Sequence, residues 1–594
     1  MRKLPLVLIA GMTLAVPVFP QQQQPPQPAP ASTFFSETIE VRIINVEAVV
    51  TDRNGQPVTG LTKDDFEVYQ NGQKQEITNF AEVRVPQNVQ TARNASTAPA
   101  TTVSAPEPAA APETIGDLPA EQRSRKVIFF IDNAGLRPFN RNRILPAAKA
   151  FLHRTLKPTD QVMIATWNPG LVIRLPFTND FAEADKLLDH IAGEGAMGLQ
   201  FAIDRHMMER QLADAPRDYA PEKPPIDVGL AIARGYAMKQ IHEQHEVVEA
   251  FKALLASVRG LEGRKAAVYM TERLDENPSR PAFDFFEQVK EGYAGGKTAN
   301  FELEAAAFAD HDLVPSLAKL ANSSGVTLYP LDAGGLAAET ESISAEESGE
   351  WHYTQASRMA FKLRTTPVTM TGLASQTGGY ALTNSNNFEL AFTTIGNDLS
   401  TYYSLGFRAS GARQDAVRSL NVKLKNPRGL TVRTRREFIE KSLLSEMNDA
   451  VAAHLFYPIA HNDLNVRLIS GDPKTNADAE KIDIPLDVKI PTEGLTLVPE
   501  GDELTGHFST FVAFMRKDGA VSKITRQEQA VRFPAESLER RKEITVRTTV
   551  TIDTRTEGLS VGVMDDLSHV TGFAMLKLTP ESAPQTAATK AGTK

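Results

Sequence analysis

Five large apolar residues in a row, Val127-Ile128-Phe129-Phe130-Ile131, stand between Arg125-Lys126 and Asp132 with no polar alternation. An apolar run of strand length, closed by charges and followed by Ala134-Gly135, reads as a strand buried on both faces, as in a parallel sheet. Downstream, Ile144, Ala148, Phe151, Leu152 and Leu156 share one helical face and predict a helix over 140–156. Apolar runs at 160–167, 171–177, 264–272 and 326–331, with a short one at 380–382, predict further strands. Helical patterns cover 181–192, 226–258, 312–323, 359–376 and 388–399, whereas the charged stretch 193–225 lacks periodicity and reads as an irregular insertion. Strands alternating with helices predict an α/β unit over 125–400, a mostly parallel sheet with helices on both faces.

On either side of this unit the period changes to two. Residues 39–51 alternate, with a phase slip at Ile43-Ile44 that suggests a bulge. Asn54-Gly55 and Asn71-Gly72 are turn signals, the second separating apolar 66–69 from alternating 74–80. The resulting small β-unit, 38–85, has too little apolar surface to stand alone. Short strands within 401–438 are candidates to pair with it. Alternation recurs at 482–490, 508–515, 544–552 and 559–564, which predicts a β-sandwich of immunoglobulin type over 445–580. The Gln/Pro-rich 21–37, the Pro/Ala-rich 86–124 and the polar 581–594 read as spacer, linker and tail.

The first twenty residues change the picture of compartment. Arg2-Lys3 precede an apolar stretch, 4–18, interrupted by Gly11 and Pro17. That is the length of a signal-peptide core and short of the roughly 20 apolar residues a membrane-spanning helix needs. The expectation is export to the periplasm, the cell envelope or the medium, with an uncleaved N-terminal anchor as the alternative. The 594 residues contain no cysteine, which excludes disulfides, thiolate catalysis, Cys-based zinc sites and lipid attachment at a Cys. A net charge of -9 without any Lys/Arg block gives no footprint for nucleic acid or an anionic membrane.

Several segments together resemble a known family. They are Val46-Glu47-Ala48-Val49-Val50-Thr51-Asp52-Arg53-Asn54-Gly55, running on to Asp64-Asp65-Phe66-Glu67-Val68; Gly263-Arg264-Lys265; Tyr329-Pro330-Leu331-Asp332-Ala333; and Thr377-Gly378-Gly379 ahead of Tyr402-Tyr403-Ser404-Leu405-Gly406. In combination they are similar to the von Willebrand factor A-related proteins of the acidobacterial type, over about 38–438. The resemblance implies export and a von Willebrand A-like Rossmannoid fold flanked by β-domains. It also implies a place for a metal. Functional domains of that fold hold Mg²⁺ with an Asp-x-Ser-x-Ser loop after the first strand, a Thr from a second loop and an Asp after the fourth strand, because a hard cation takes oxygen ligands. Carried onto this chain, Asp132 fits the first position, but the two Ser positions are Ala134 and Leu136. No threonine lies between Thr178 and Thr271, and Thr271-Glu272 follow the fourth strand. Asp204 or Asp227 are possible substitutes from the insertion. Asp132, Thr271 and Glu272 are therefore candidates for a remnant metal site. No cofactor is expected, with weak Mg²⁺ binding as the alternative.

Catalytic patterns are sparse. His242 and His245 are three apart, not the four of a helical zinc-protease motif, and lie in a charged helical stretch. The chain has no Gly-x-Ser-x-Gly elbow, phosphate loop or dinucleotide fingerprint after the first strand, and Asp565-Asp566 reads as a turn. The leading expectation is a non-enzymatic interaction or adhesion module with a degenerate metal-ion-dependent adhesion site and an unidentified protein partner. The alternatives are a structural envelope protein without a ligand site, and a metal protein or enzyme built on His242/His245.

Overall fold

The computed structural model describes residues 43–85, 124–336, 366–408, 414–457 and 462–578, except 477, 479 and 539. The expected signal peptide, the spacer, nearly all of the linker and the tail lie outside the described residues. The chain opens with β1 (Ile43–Thr51), β2 (Phe66–Gln70), β3 (Gln73–Gln75) and β4 (Ile77–Arg84). The α/β unit follows: β5 (Arg125–Asp132), α1 (Pro138–Thr155), β6 (Gln161–Trp167), β7 (Leu171–Thr178), α2 (Phe181–Gly193), α3 (Gly198–Asp218), α4 (Ile226–Ser257) and β8 (Arg264–Thr271). It continues through α5 (Arg280–Val289), α6 (Phe301–Ala306), α7 (Leu313–Ser323), β9 (Val326–Asp332), α8 (Thr366–Thr377) and α9 (Phe388–Ser400).

The sheet of this unit runs β7-β6-β5-β8-β9, with all neighbours parallel except the antiparallel edge strand β7. In order of appearance that is 3-2-1-4-5, a doubly wound arrangement whose direction reverses at β5. β5 is buried on both sides, as its unbroken apolar run predicts. Val127, Phe129 and Ile131 meet Ile144, Phe151 and Leu152 of α1 and Phe392 and Ile395 of α9. Ile128 and Phe130 meet Phe251 and Leu255 of α4 and Leu317 of α7, with the Phe130 and Phe251 rings stacked 4.7 Å apart. α4 has 32 residues, about 48 Å of helix at 1.5 Å per residue. Its C-terminal half covers the sheet. Leu230, Ala233 and Ala237 from the first half form a separate cluster with Met208 and Leu212 of α3 and Phe283 and Phe286 of α5. Residues 193–225 are thus mostly a 21-residue helix and not irregular chain. Its only regular burial is Met208, Leu212 and Ala215, a short stripe that stabilises a helix through its neighbours and leaves little periodicity to read.

After the α/β unit come β10 (Thr401–Arg408), β11 (Ala416–Leu424), β12 (Thr431–Arg433) and β13 (Glu437–Glu440). They complete two four-stranded antiparallel sheets with the N-terminal strands, ordered β12-β1-β10-β4 and β13-β11-β2-β3. The two sheets curl around one core of Val46, Phe66, Val68, Tyr403, Leu405 and Val422. The Tyr403 hydroxyl donates to the Val58 carbonyl at 2.9 Å and accepts from the Leu61 amide at 3.1 Å, which ties the β1–β2 connection to β10.

α10 (Leu443–Phe456) leads into nine more strands: β14 (Arg467–Ser470), β15 (Lys474–Thr475), β16 (Lys481–Pro491), β17 (Leu497–Glu500), β18 (Glu503–Arg516), β19 (Thr525–Pro534), β20 (Glu543–Asp553), β21 (Thr556–Asp565) and β22 (Thr571–Lys577). β14 and β15 flank one side of β16 and β20 the other, while β18 joins β19 to β21-β22. Ile484, Leu486 and Val488 of the first sheet face Phe508, Val561 and Val563 of the second across a shared core. The protein is therefore mixed α/β, with one mainly parallel sheet and four antiparallel ones.

The amino end of the parallel sheet carries Arg125, Lys126, Arg264 and Lys265. Arg125 pairs with buried Asp160, and Arg264 pairs with Glu47 of β1 at 2.8 Å while its guanidinium lies 4.1 Å from the Tyr402 ring centre. Lys265 is buried and donates to the Leu261 carbonyl. Burial, aided by the charges of Lys441, Lys126 and Arg435, pushes its ammonium down to about 7. In the unfolded chain a lysine titrates near 10.4, so between about pH 7 and pH 10 the unfolded state binds more protons and stability rises with pH. Replacing Lys265 with Met is expected to raise stability at pH 7 by on the order of a few kcal/mol and to flatten that rise. Urea denaturation at neutral and alkaline pH measures both; parallel pH profiles for the two proteins would contradict the buried-lysine account.

Candidate functional site

In a doubly wound sheet ligands sit beyond the carboxyl ends of the strands where the strand order reverses. That point lies between β5 and β8, and the two strands end in Asp132 and Thr271. The structure brings these two candidates into contact. The Thr271 hydroxyl donates to Asp132 Oδ2 at 2.8 Å, and the Gly135 amide donates to Oδ1 at 2.8 Å. The turn is tight: a Cβ on Gly135 would sit 2.2 Å from Asp132 Oδ2. Asp132 is 2% exposed, and burial raises its pKa against the opposing effect of these two hydrogen bonds.

Glu272 is turned elsewhere. Its carboxylate accepts from the Arg137 amide and from Arg137 Nε, both at 2.9 Å, and Arg137 Nη2 stands 2.8 Å away. A two-pronged, charge-assisted contact of this kind fixes both partners. Ala134 and Leu136, two and four positions after Asp132, are buried and bring no side-chain oxygen.

A roof covers the turn after β5. The amides of Met197 and Gly198 donate to the carbonyls of Asn133 (3.2 Å) and Leu136 (3.0 Å). At Gly198 a Cβ would lie 2.3 Å from the Leu136 carbonyl carbon, so the approach of α3 requires glycine. Asn133 Nδ2 donates to the Gly195 carbonyl at 3.1 Å, while buried Arg141 reaches Asn133 and the carbonyls of Ala192 and Glu194. Arg273 closes the other side. Its amide donates to the Thr271 hydroxyl at 3.1 Å, and its guanidinium packs 3.3 Å from the Phe201 ring centre and donates to Gln240 Oε1 at 2.5 Å. Burial lowers the Arg273 pKa, countered by the charges of Glu243 and Asp132.

The remaining candidates lie apart from this turn. Asp204 is held by Lys239 and by Gln200 Nε2, and Asp227 stands in the first turn of α4. His242 and His245 are exposed on α4, with Nε2 atoms 3.4 Å from Glu246 and 3.5 Å from Glu249. Among the described residues no three His, Cys, Asp or Glu side chains are grouped to hold a metal ion. Asp565 ends β21 and caps its turn by accepting from the amides of Leu567 (2.9 Å) and Ser568 (2.7 Å).

Sequence reasoning missed Arg137 and Arg273. Both carry a signal, since each follows directly on a candidate ligand position, Leu136 or Glu272, where a cation competes with a metal ion.

No protein-family model matches the chain, and no curated protein does. Among solved structures, an aerotolerance-related membrane protein from Bacteroides fragilis shares 12% identity, covering 47% of this chain and 98% of its own at a TM-score of 0.21. A conserved hypothetical protein, BatB from Bacteroides thetaiotaomicron, also shares 12% identity, covering 47% of this chain and 97% of its own at a TM-score of 0.18. Among the described residues no helix is long and apolar enough to cross a membrane.

The geometry assigns Asp132 a buried bracing role. Asp132→Ala leaves the Thr271 hydroxyl and the Gly135 amide without their acceptor, a loss of about 1–3 kcal/mol each. Thermal denaturation is expected to show a Tm drop of several degrees for Asp132→Ala, a smaller one for Asp132→Asn, and the largest for Gly135→Ala. An Asp132→Ala protein as stable as the parent would refute the bracing role.

Proposed function

We propose that the protein is an exported, non-catalytic interaction module with a von Willebrand A-like domain, whose metal-ion-dependent adhesion site has been closed by its own side chains. The observation that carries this reading is the pairing of Asp132 with Thr271 and of Glu272 with Arg137 at the reversal point of the sheet. Mg²⁺ demands near-octahedral oxygen coordination and an open position for a partner's carboxylate. Here both Asp132 oxygens are engaged, Ala134 and Leu136 bring no oxygen, and a guanidinium stands on Glu272. The residues do not fit the ion.

Further support comes from the 3-2-1-4-5 strand order around β5 and from the flanking antiparallel units. The C-terminal one, with β14-β16-β20 facing β19-β18-β21-β22, agrees with an immunoglobulin-like sandwich. The signal-like first twenty residues support export. The roof formed by α3 also favours a second reading, a structural envelope protein in which no ligand site remains.

Affinity capture from the cell envelope on the immobilised full chain separates these readings. A specific protein is expected to be retained equally in millimolar Mg²⁺ and in EDTA, and the melting temperature is expected to be the same in both. Retention only with Mg²⁺ would overturn the closed site, and no retention in either buffer would favour the structural reading.

A further inference from the structure

We propose that the edge of β20 in the C-terminal sandwich takes up an extended segment of a partner protein, which adds to the sheet as a further strand. The site is separate from the closed turn at Asp132 and does not depend on it. The two sheets of the sandwich are unequal. In the first, β14 and β15 flank one side of β16 and β20 the other, and β20 pairs with no further strand among the described residues. In the second, β22, β21, β18 and β19 lie side by side. β14 lies against β22. Counted from there, β16 falls over β21 and β20 over β18, so no strand of the first sheet falls over β19. Burial follows this count. Ile544 and Ile552 near the ends of β20 are buried, whereas Val546, Thr548 and Val550 between them are partly exposed. On the inner face of β19, Val531 and Gln529 are partly exposed and Gln527 is exposed.

The main chain of β20 is set out for pairing. The Thr554 amide donates to the Glu480 carbonyl at 2.9 Å and the Thr492 amide to the Lys542 carbonyl at 3.1 Å, which fixes the phase of the ladder. Residues 544, 546, 548, 550 and 552 bond to β16, so the amides and carbonyls of Thr545, Arg547, Thr549 and Thr551 point outward. Such a row is a template for an added strand. The usual protections are lacking: the pairing runs through all 11 residues without a bulge, and β20 contains no proline. The other outer strand at this side, β19, ends in Pro534 and exposes Arg526, Glu528 and Arg532. In an incoming strand every second side chain faces Val531, Val546 and Val550 and is apolar, while the others lie beside Thr545, Arg547 and Thr549. The Arg547 side chain is 82% exposed, and its Nε stands 3.5 Å from Asp487 of β16. Its remaining N–H groups are open to a carboxylate across the edge, which favours an acidic residue opposite it. A second copy of β20 does not fit. Two-fold pairing would set its β19 beneath this copy's β20, where β18 already lies.

Fluorescence anisotropy on the full chain tests the edge with a labelled peptide, Thr-Val-Ser-Val-Glu-Val-Ser-Val-Thr, whose central Glu meets Arg547 in either chain direction. Saturable binding at one per chain is expected. Methylating the amides of one alternate set of peptide residues is expected to abolish binding and methylating the other set to leave it unchanged, because an added strand bonds through one row. Thr549→Pro removes an outward amide and no bond to β16, and is expected to weaken binding about tenfold. Arg547→Glu is expected to weaken it about threefold, the scale of a cross-strand charge pair, and to favour a peptide with Lys in place of Glu; it serves as the second variant if Thr549→Pro fails to fold. Arg210→Gln, an exposed cation on α3, is expected to change nothing. Sedimentation velocity is expected to give the parent and Thr549→Pro the same mass, whereas a dimer lost in Thr549→Pro would assign the edge to a second copy and overturn the partner strand. No saturable binding, equal loss with both methylated sets, or undiminished binding by a folded edge variant would each overturn the proposal.

Discussion

The burial of β5 on both faces is the constraint from which the rest of the structure follows. A strand with Val127, Phe129 and Ile131 on one side and Ile128 and Phe130 on the other needs two apolar covers. Parallel neighbours supply them, because each crossover between parallel strands lays a helix on one face. With β6 and β8 on its two sides, β5 becomes the point where the winding reverses, and its last residue is placed in the crevice that results. Fold and candidate site thus share one cause. Whatever stands at position 132 is held out of water, and an aspartate there must be matched by hydrogen bonds or by a cation.

This chain answers with hydrogen bonds. A hydroxyl and a main-chain amide satisfy Asp132, and Arg137 satisfies Glu272, so the polar groups at this end of the sheet are turned on the chain itself. The same demand governs the other end of the sheet, where Arg125 and Arg264 are matched by Asp160 and Glu47. The second pairing has a topological effect, since Glu47 belongs to β1. It binds the N-terminal strands to the α/β unit and helps explain why a β-unit too small to stand alone is ordered. Buried pairs of this kind contribute more to where elements dock than to net stability.

Legibility in the sequence followed the source of each element's stability. β5, β8 and α1 carry their own signals, a continuous apolar run or a helical stripe, and the structure has them within a residue or two of the expected ends. α3 was illegible because its buried apolar side chains are confined to Met208, Leu212 and Ala215 and depend on α4 and α5. α10 was missed for a related reason: its inner face is divided between two cores, Ala453 and the capping Tyr457 reaching the parallel sheet and Met447 and Val451 the sandwich. At the site, the absence of hydroxyls at 134 and 136 could be read directly. That a cation follows position 136 could also be read; its pairing with Glu272 could not, because the backbone geometry that aims Arg137 there is a property of the tertiary turn.

Both ends of the sheet settle their charges within the chain, and that carries the functional argument. At the carboxyl end the groups that a ligand would use are already engaged: Asp132 in two hydrogen bonds and Glu272 by a guanidinium, with the turn roofed through Gly198. Binding an ion there would require breaking these contacts first. At the amino end Arg125 is paired with Asp160, Arg264 with Glu47, and Lys441 and Arg259 with Asp449 of α10. By that criterion the charged groups at both ends of the sheet hold its neighbouring elements in place, although the strand order marks Asp132 as the obvious place to look for a ligand.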